Sequence, residues 1–214
     1  MNQTTKATRV PQAARRAAIL DAAAKVFLDH GYAAASIDAV IERIGGSKRN
    51  IYSIFGSKEG LFNAIVEEKA EDLFNILSVQ GDIRKEFQEK LFEFAVRLLE
   101  IFMSPQMAGV YRVVISEASR LPNLASSFYR NGPGRSAVAL AGILDDAVRR
   151  GEIFVDDTKE AAEQFIGILR GNIYLEFVLG LREPLEPDEI VASARRAVRL
   201  FMNGVAVTSS RVPT

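Results

Sequence analysis

Between residues 45 and 62 the chain reads "GGSKRNIYSIFGSKEGLF". Lys48, Arg49, Asn50, Tyr52 and Ser53 fall within six positions there, and Ser57 and Lys58 follow at once. The chemistry open to such side chains is hydrogen bonding to phosphate oxygens and to base edges. A guanidinium can bridge two acceptors of guanine and a carboxamide can pair with adenine, while an ammonium or a phenol suits a phosphate. Arg49 and Asn50 are therefore candidates for reading bases, and Lys48 and Tyr52 for holding the backbone. Ser36, Ser47 and Ser57 each stand where a helix would begin, and a hydroxyl beside free backbone N–H groups is a natural phosphate site.

Nothing comparable is offered for catalysis. The 214 residues include no cysteine and a single histidine, His30, which removes thiolate chemistry, disulfides and most histidine-dependent triads. His30 reads as a helix-end residue. The acidic pairs Asp145/Asp146 and Asp156/Asp157 have no other ligand-type residues around them. No catalytic residue, cofactor or metal is expected, and the protein is not read as an enzyme.

Charge separates the chain into two parts. The formal net charge is zero, yet residues 1–58 carry nine Lys/Arg against four Asp/Glu, and the remainder carries 18 against 23. A cationic first quarter on an anionic body points to a polyanion partner for that quarter alone. With 48% apolar and 25% charged residues, the composition is that of a soluble globular protein. No apolar run reaches the roughly 18–20 residues of a membrane span, and the N-terminus lacks the apolar core of a signal peptide, so a cytoplasmic location is expected.

The elements that must position these residues are all helical. Residues 1–14 are polar and aperiodic and read as a flexible basic arm. Ile19, Ala22, Ala23, Val26 and Phe27 share one face of a first helix, stopped by Gly31. Ser36 caps a second helix that buries Ile37, Val40, Ile41 and Ile44. Gly45 and Gly46 make a tight turn, and Ser47 caps a third helix, 48–55, with Ile51, Ile54 and Phe55 facing inward. After Gly56 a fourth runs over 58–77 through Leu73 and Leu77. Short helices around a glycine turn have helix-turn-helix geometry.

Further helices follow over about 83–103, after a break at "QGD", 80–82, and over 105–121 with Ser104 as cap. The segment 123–150 must kink, unwind or split at "NGPG", 131–134; the last two cover 158–181, opened by a capping box of Asp157 and Glu160, and 188–205. The expected fold is all-α, with about nine helices. The domains read as a helix-turn-helix DNA-binding domain over 15–60, with the motif itself at about 36–55, a helical effector-binding and dimerisation domain over 61–205, and a tail over 206–214.

The stretch "ILDAAAKVFLDHGYAAASIDAVIERIGGSKRNIYSIFGSKEGLF" resembles the DNA-binding domain of the TetR family of bacterial transcription regulators. The likeness is carried by the Ala-rich first helix ending in Gly-Tyr, the Ser-Ile-Asp start of the second, the Ser-Lys cap of the third, Tyr52 with Phe55, and Gly-Ser-Lys-Glu. Gly46 and Asn50 depart from the usual pattern, where valine and threonine are commoner. The resemblance implies a homodimer in which Ser36, Ser47, Lys48, Arg49, Asn50, Tyr52, Ser53 and Lys58 meet double-stranded DNA at a palindromic operator. The stretch "PQMAGVYRVVISEASRLPNLASSFYRNGP", 105–133, is similar to the effector domain of the AefR-related subgroup.

In the second domain Phe102, Met107, Tyr111, Phe128, Phe165, Asn172, Tyr174 and Phe177 are candidates for lining a pocket for a largely apolar small molecule. Arg112 and Glu117 are placed to pair. The last two helices carry apolar stripes that either finish the core or meet a second copy, and the resemblance implies the latter. Ile168, Asn172, Leu179, Ala194, Val198 and Phe201 are the candidates for that interface. The leading reading is a ligand-responsive regulator, most often a repressor in such a family. The alternatives are an all-α enzyme, for which no catalytic constellation appears, and a protein-binding adaptor, which leaves the basic first quarter unexplained.

Overall fold

The computed structural model describes residues 12–77 and 85–205. Among these residues there are ten helices and no strand. They fall into two compact units, Met1–Ile65 and Val66–Thr214. The expected arm over 1–11, the break at 80–82, residues 83 and 84, the side chains of Leu73 and Leu77, and the tail over 206–214 lie outside what is described.

The first unit contains α1 (Gln12–Ala34), α2 (Ile37–Ile44), α3 (Lys48–Phe55) and the start of α4 (Lys58–Leu77). Helix α1 begins at Gln12, so 12–14 are helical and not part of an arm. It leaves helical geometry at Gly31, as the stop signal predicts, and then resumes to Ala34. Its buried face is Ile19, Leu20, Ala22, Ala23, Val26 and Phe27. Phe27, Tyr32 and Phe62 form a ring cluster with centroids 5.1–5.6 Å apart, which locks the end of α1 to the start of α4.

Helices α2 and α3 have only eight residues each, so capping matters to them. The Ser36 hydroxyl accepts from the Ala39 N–H at 3.1 Å and the Ser47 hydroxyl from the Asn50 N–H at 3.3 Å. Two apolar expectations fail. Ile44 is 37% exposed and Ile54 is 38% exposed, because each lies in the last turn of a short helix that has run past the core. Ile37, Val40 and Ile51 are buried as expected, Ile41 and Phe55 only half so.

The second unit is built from α5 (Phe87–Phe102), α6 (Pro105–Glu117), α7 (Pro122–Asn131), α8 (Pro133–Arg149), α9 (Thr158–Val178) and α10 (Pro187–Val205). The segment over 123–150 splits into α7 and α8. Pro133 has no N–H to continue α7 and sits at the first position of α8, with Gly132 as the joint. Ser104 caps α6 by accepting from the Met107 N–H, again with proline next. Asp157 caps α9 by accepting from the Lys159 and Glu160 N–H groups at 2.8 and 3.0 Å. The Glu160 carboxylate does not complete the box; it accepts from Gln164 instead.

Helix α5 packs on α10 and α8 on α9, and one apolar core runs through all four. Fully burying each large side chain there stabilises the unit by about 1.5–3 kcal/mol. Arg112 and Glu117 do not pair. Arg112 donates to the carbonyls of Val178 and Phe177 at 2.5 and 3.0 Å, satisfying the last turn of α9, while Glu117 takes Arg120 at 3.3 Å. Among the described residues no single helix is long and apolar enough to cross a membrane.

Candidate nucleic-acid interface and effector pocket

Helix α3 presents a polar face because its apolar anchor is single. Ile51 is 2% exposed and faces α2, while Lys48, Arg49, Tyr52 and Ser53 point outward and Asn50 is half-buried. The turn that sets the angle between α2 and α3 runs through Gly45 at φ 71° and Gly46 at φ 113°. Both lie where an L side chain is strained, and a Cβ on Gly46 would also come within 3.3 Å of the Arg15 guanidinium. The departure from valine at position 46 thus has a backbone cause.

The polar residues are not equally free. Lys48 forms an ion pair with Asp38 at 2.8 Å, and the carboxylate holds its ammonium above the usual lysine range, first through the hydrogen bond and then through charge. Arg49 forms no ion pair or hydrogen bond among the described residues. Ser53 donates to the Asn50 carbonyl at 2.8 Å. Ser57 caps α4, accepting from Gly60 N–H at 2.9 Å. Lys58 reaches back to α1, donating to the Ala33 carbonyl at 3.2 Å with its ammonium 4.6 Å from the Tyr32 ring centre. Its ammonium is therefore anchored rather than extended, which the sequence did not signal.

A second concavity lies wholly within the second unit. It is a narrow, partly open cleft between Val66, Ile101, Phe102, Met107, Val110, Tyr111, Phe128, Gly132, Pro133, Ser136, Arg170 and Tyr174. Five of the eight expected pocket residues line it: Phe102, Met107, Tyr111, Phe128 and Tyr174. The other three do not. Phe165 and Phe177 are core residues, the former edge-on to Phe201 at 5.1 Å, and Asn172 is exposed on the outer face of α9. Tyr111 contacts Phe128 and Tyr174, and Phe102 contacts Tyr174, at 5.3–6.0 Å between centroids, so the wall is an aromatic box. Burial pushes the Tyr174 phenol well above its ordinary range.

Sequence reasoning missed Arg170, the one cation among the described residues of the wall. Its guanidinium lies over Phe102 at 4.4 Å and Tyr174 at 5.5 Å, and its buried Nε has no acceptor among the described residues. The signal was present: Ile166 and Tyr174, four residues before and after, are both buried, so the helical period puts Arg170 on the inner side. The joint at Gly132 and Pro133 was visible as a break but not as a pocket wall.

The expected interface residues divide. Ala194, Val198 and Phe201 are 0–6% exposed and belong to the core of their own chain. Ile168, Asn172 and Leu179 are exposed on α9, and the exposed apolar surface there continues through Leu175. On α10 the exposed apolar residues are Val191 and Leu200, beside Arg195, Arg196 and Arg199. Among the described residues no cluster of metal-ligating side chains occurs.

Residues 19–65 match a family model described as bacterial regulatory proteins of the tetR family, and residues 89–204 match the AefR-like transcriptional repressor, C-terminal domain. The HTH-type transcriptional activator FasR of Mycolicibacterium smegmatis is 38% identical over 68 residues, 32% of this chain. The chain spans only 31% of that relative's length in the match. The crystal structure of a Mesorhizobium loti protein described as a TetR-family transcriptional regulator superposes with a TM-score of 0.82 at 25% identity, covering 93% of this chain and all of that one. A structure described as the flavonoid-responsive regulator FrrA gives 0.76 at 30% identity, covering 94% of this chain and all of that one.

Proposed function

The chain belongs to the TetR family of bacterial regulatory proteins, with an AefR-like C-terminal domain, and we propose that it is a ligand-responsive repressor that binds a palindromic operator as a homodimer. The observation that carries this reading is the outer face of α3, where Lys48, Arg49, Tyr52 and Ser53 are exposed around a helix held by one buried residue, Ile51. In this reading Arg49 and Asn50 meet base edges, and Lys48, Tyr52 and the capped N-termini at Ser36, Ser47 and Ser57 meet phosphates. Lys58 contributes by fixing α1 against α4. The DNA-binding domain is taken as 15–60 and the effector and dimerisation domain as 61–205.

Two half-sites in successive major grooves lie about 34–36 Å apart, so two copies must hold their α3 helices at that spacing. A small molecule in the aromatic pocket releases DNA only if it binds better to a dimer whose spacing does not fit. Helix α4 is the covalent route, since it contributes Lys58 to the first unit and Val66 to the pocket wall of the second. Relatives differ in direction: the matched C-terminal model is described as a repressor's, FasR as an activator. Repression is favoured because the repressor model matches the effector domain itself.

The test is selection from random duplex DNA by the purified full chain near physiological salt, where nonspecific phosphate binding is suppressed. The expected product is a palindrome. Enrichment of no motif would end the operator reading and return the adaptor reading to the front.

A further inference from the structure

We propose that the effector is a planar apolar acid that binds as its carboxylate, with the Arg170 guanidinium as its counter-ion inside the aromatic box. This rests on the pocket being the effector site, and it names the chemistry that the site selects.

Arg170 places a full positive charge against apolar walls, and no Asp or Glu is among the described residues lining the cavity. Among the described residues it enters no ion pair, and its buried Nε finds no acceptor. A buried donor without a partner costs more than the same donor in water. Arg112 shows the contrast, since both of its buried-side nitrogens are spent on the last carbonyls of α9.

The way Arg170 is held defines what can pair with it. Its guanidinium lies 4.4 Å from the Phe102 centroid and 5.5 Å from that of Tyr174, which engages the planar group through cation–π contact. A carboxylate matches the N–H fork of a guanidinium with two parallel hydrogen bonds. One cation in the wall asks for one negative charge, whereas a phosphate dianion would ask for more donors than the wall supplies. Ser136 is not a second anchor of that kind, because its hydroxyl already donates to the Gly132 carbonyl at 3.2 Å. The remaining wall is Phe102, Tyr111, Phe128 and Tyr174 with aliphatic neighbours, which suits a flat apolar body. The Tyr174 phenol is protonated at neutral pH, as an ordinary phenol is, and burial only raises its pKa further, so it adds no second negative charge to the wall.

The test uses the full chain without DNA and matched planar probes: 2-naphthoate and benzoate against 2-naphthamide and benzamide. Binding is read by calorimetry and by the shift in Tm. Each carboxylate is expected to bind at least about tenfold more tightly than its amide, the scale of one charge-assisted hydrogen bond. Arg170→Gln should abolish that preference, lowering carboxylate affinity at least about tenfold, to that of the matching amide. Arg170→Lys, which keeps the charge and loses the fork, should fall between them; it also serves if the glutamine variant does not fold. Amides binding as well as acids, a carboxylate preference untouched in both variants, or no carboxylate binding at millimolar concentration would each overturn the assignment. Operator release is measured separately. Carboxylates that bind through Arg170 yet leave DNA bound would keep the chemistry assigned here and overturn the release reading alone.

Discussion

Arg49 and Lys48 are adjacent on α3 and differ in what surrounds them. Arg49 is exposed and makes no ion pair among the described residues, so its guanidinium can be committed to a base. Arg49→Ala is expected to weaken specific binding by roughly 1–3 kcal/mol and to relax preference at one base position, which a repeated selection would read. An unchanged motif would remove its base-reading role. Lys48 must leave Asp38 to reach a phosphate. Asp38→Asn should therefore tighten operator binding and steepen its salt dependence by about one counterion, with a slight loss of stability because Asp38 also favours the start of α2. Tyr174 gives a pH signature. Its folded-state pKa lies above the unfolded value of about 10, so its contribution is complete below pH 10 and is lost as pH rises beyond it, by up to about 1.4 kcal/mol per unit. Urea titrations above pH 10 should show a shallower fall for Tyr174→Phe than for the parent. At this scale the sequence displayed the α3 residues through their types and spacing. It hid the partners of Lys48, Lys58 and Arg112, since each reaches another element.

At the scale of the element, local signals held wherever the cause was local. The serine caps, the proline starts of α6 and α8 and the glycine turn all act within a few residues. Burial at helix ends did not follow the period, because Ile44 and Ile54 continue an apolar pattern past the point where a neighbouring helix can cover them. Two glycines carry testable strain. Gly46→Ala places a side chain at φ 113° and 3.3 Å from the Arg15 guanidinium, and should lower stability by about 1–3 kcal/mol. Gly171, just after Arg170, takes φ 47° and ψ −160° inside α9 and breaks its helical geometry beside the pocket. An added Cβ there meets nothing within 4 Å, so a loss of about 1–3 kcal/mol in Gly171→Ala would come from backbone strain alone. Urea denaturation that left stability unchanged would mean that α9 straightens at no cost.

At the scale of the whole molecule, the exposed apolar surface of α9 is the feature a lone chain does not use. Ile168, Leu175 and Leu179 are 39–62% exposed, and they recur at helical spacing on the face opposite the core. A second copy related by twofold symmetry would cover the same surface on each chain. Leu175→Glu and Leu179→Glu, at positions that contribute little to the core, are expected to leave the helical content intact and yield monomers in sedimentation analysis. Those monomers should bind a palindrome more weakly and without cooperativity between half-sites. Persistent dimers in both variants would place the interface elsewhere. The α10 stripe shows why sequence alone could not settle this surface: Ala194, Val198 and Phe201 are as apolar as an interface requires, but they are already buried in their own chain's core, where α10 packs on α5 and α9.

The amino-acid sequence by itself determined that the chain is helical, where most helices begin, which short helix carries the basic and amide side chains, and to which family that pattern belongs. These follow from side-chain type and from periods of three to four residues, and both are written along the chain. Only the tertiary structure decided which apolar faces are spent on the core, that the joint of α7 and α8 is a pocket wall, and that Arg170 lies among aromatic rings with no ion-pair partner among the described residues. These depend on which elements approach one another, and packing sets that across tens of residues through contacts that no local pattern encodes.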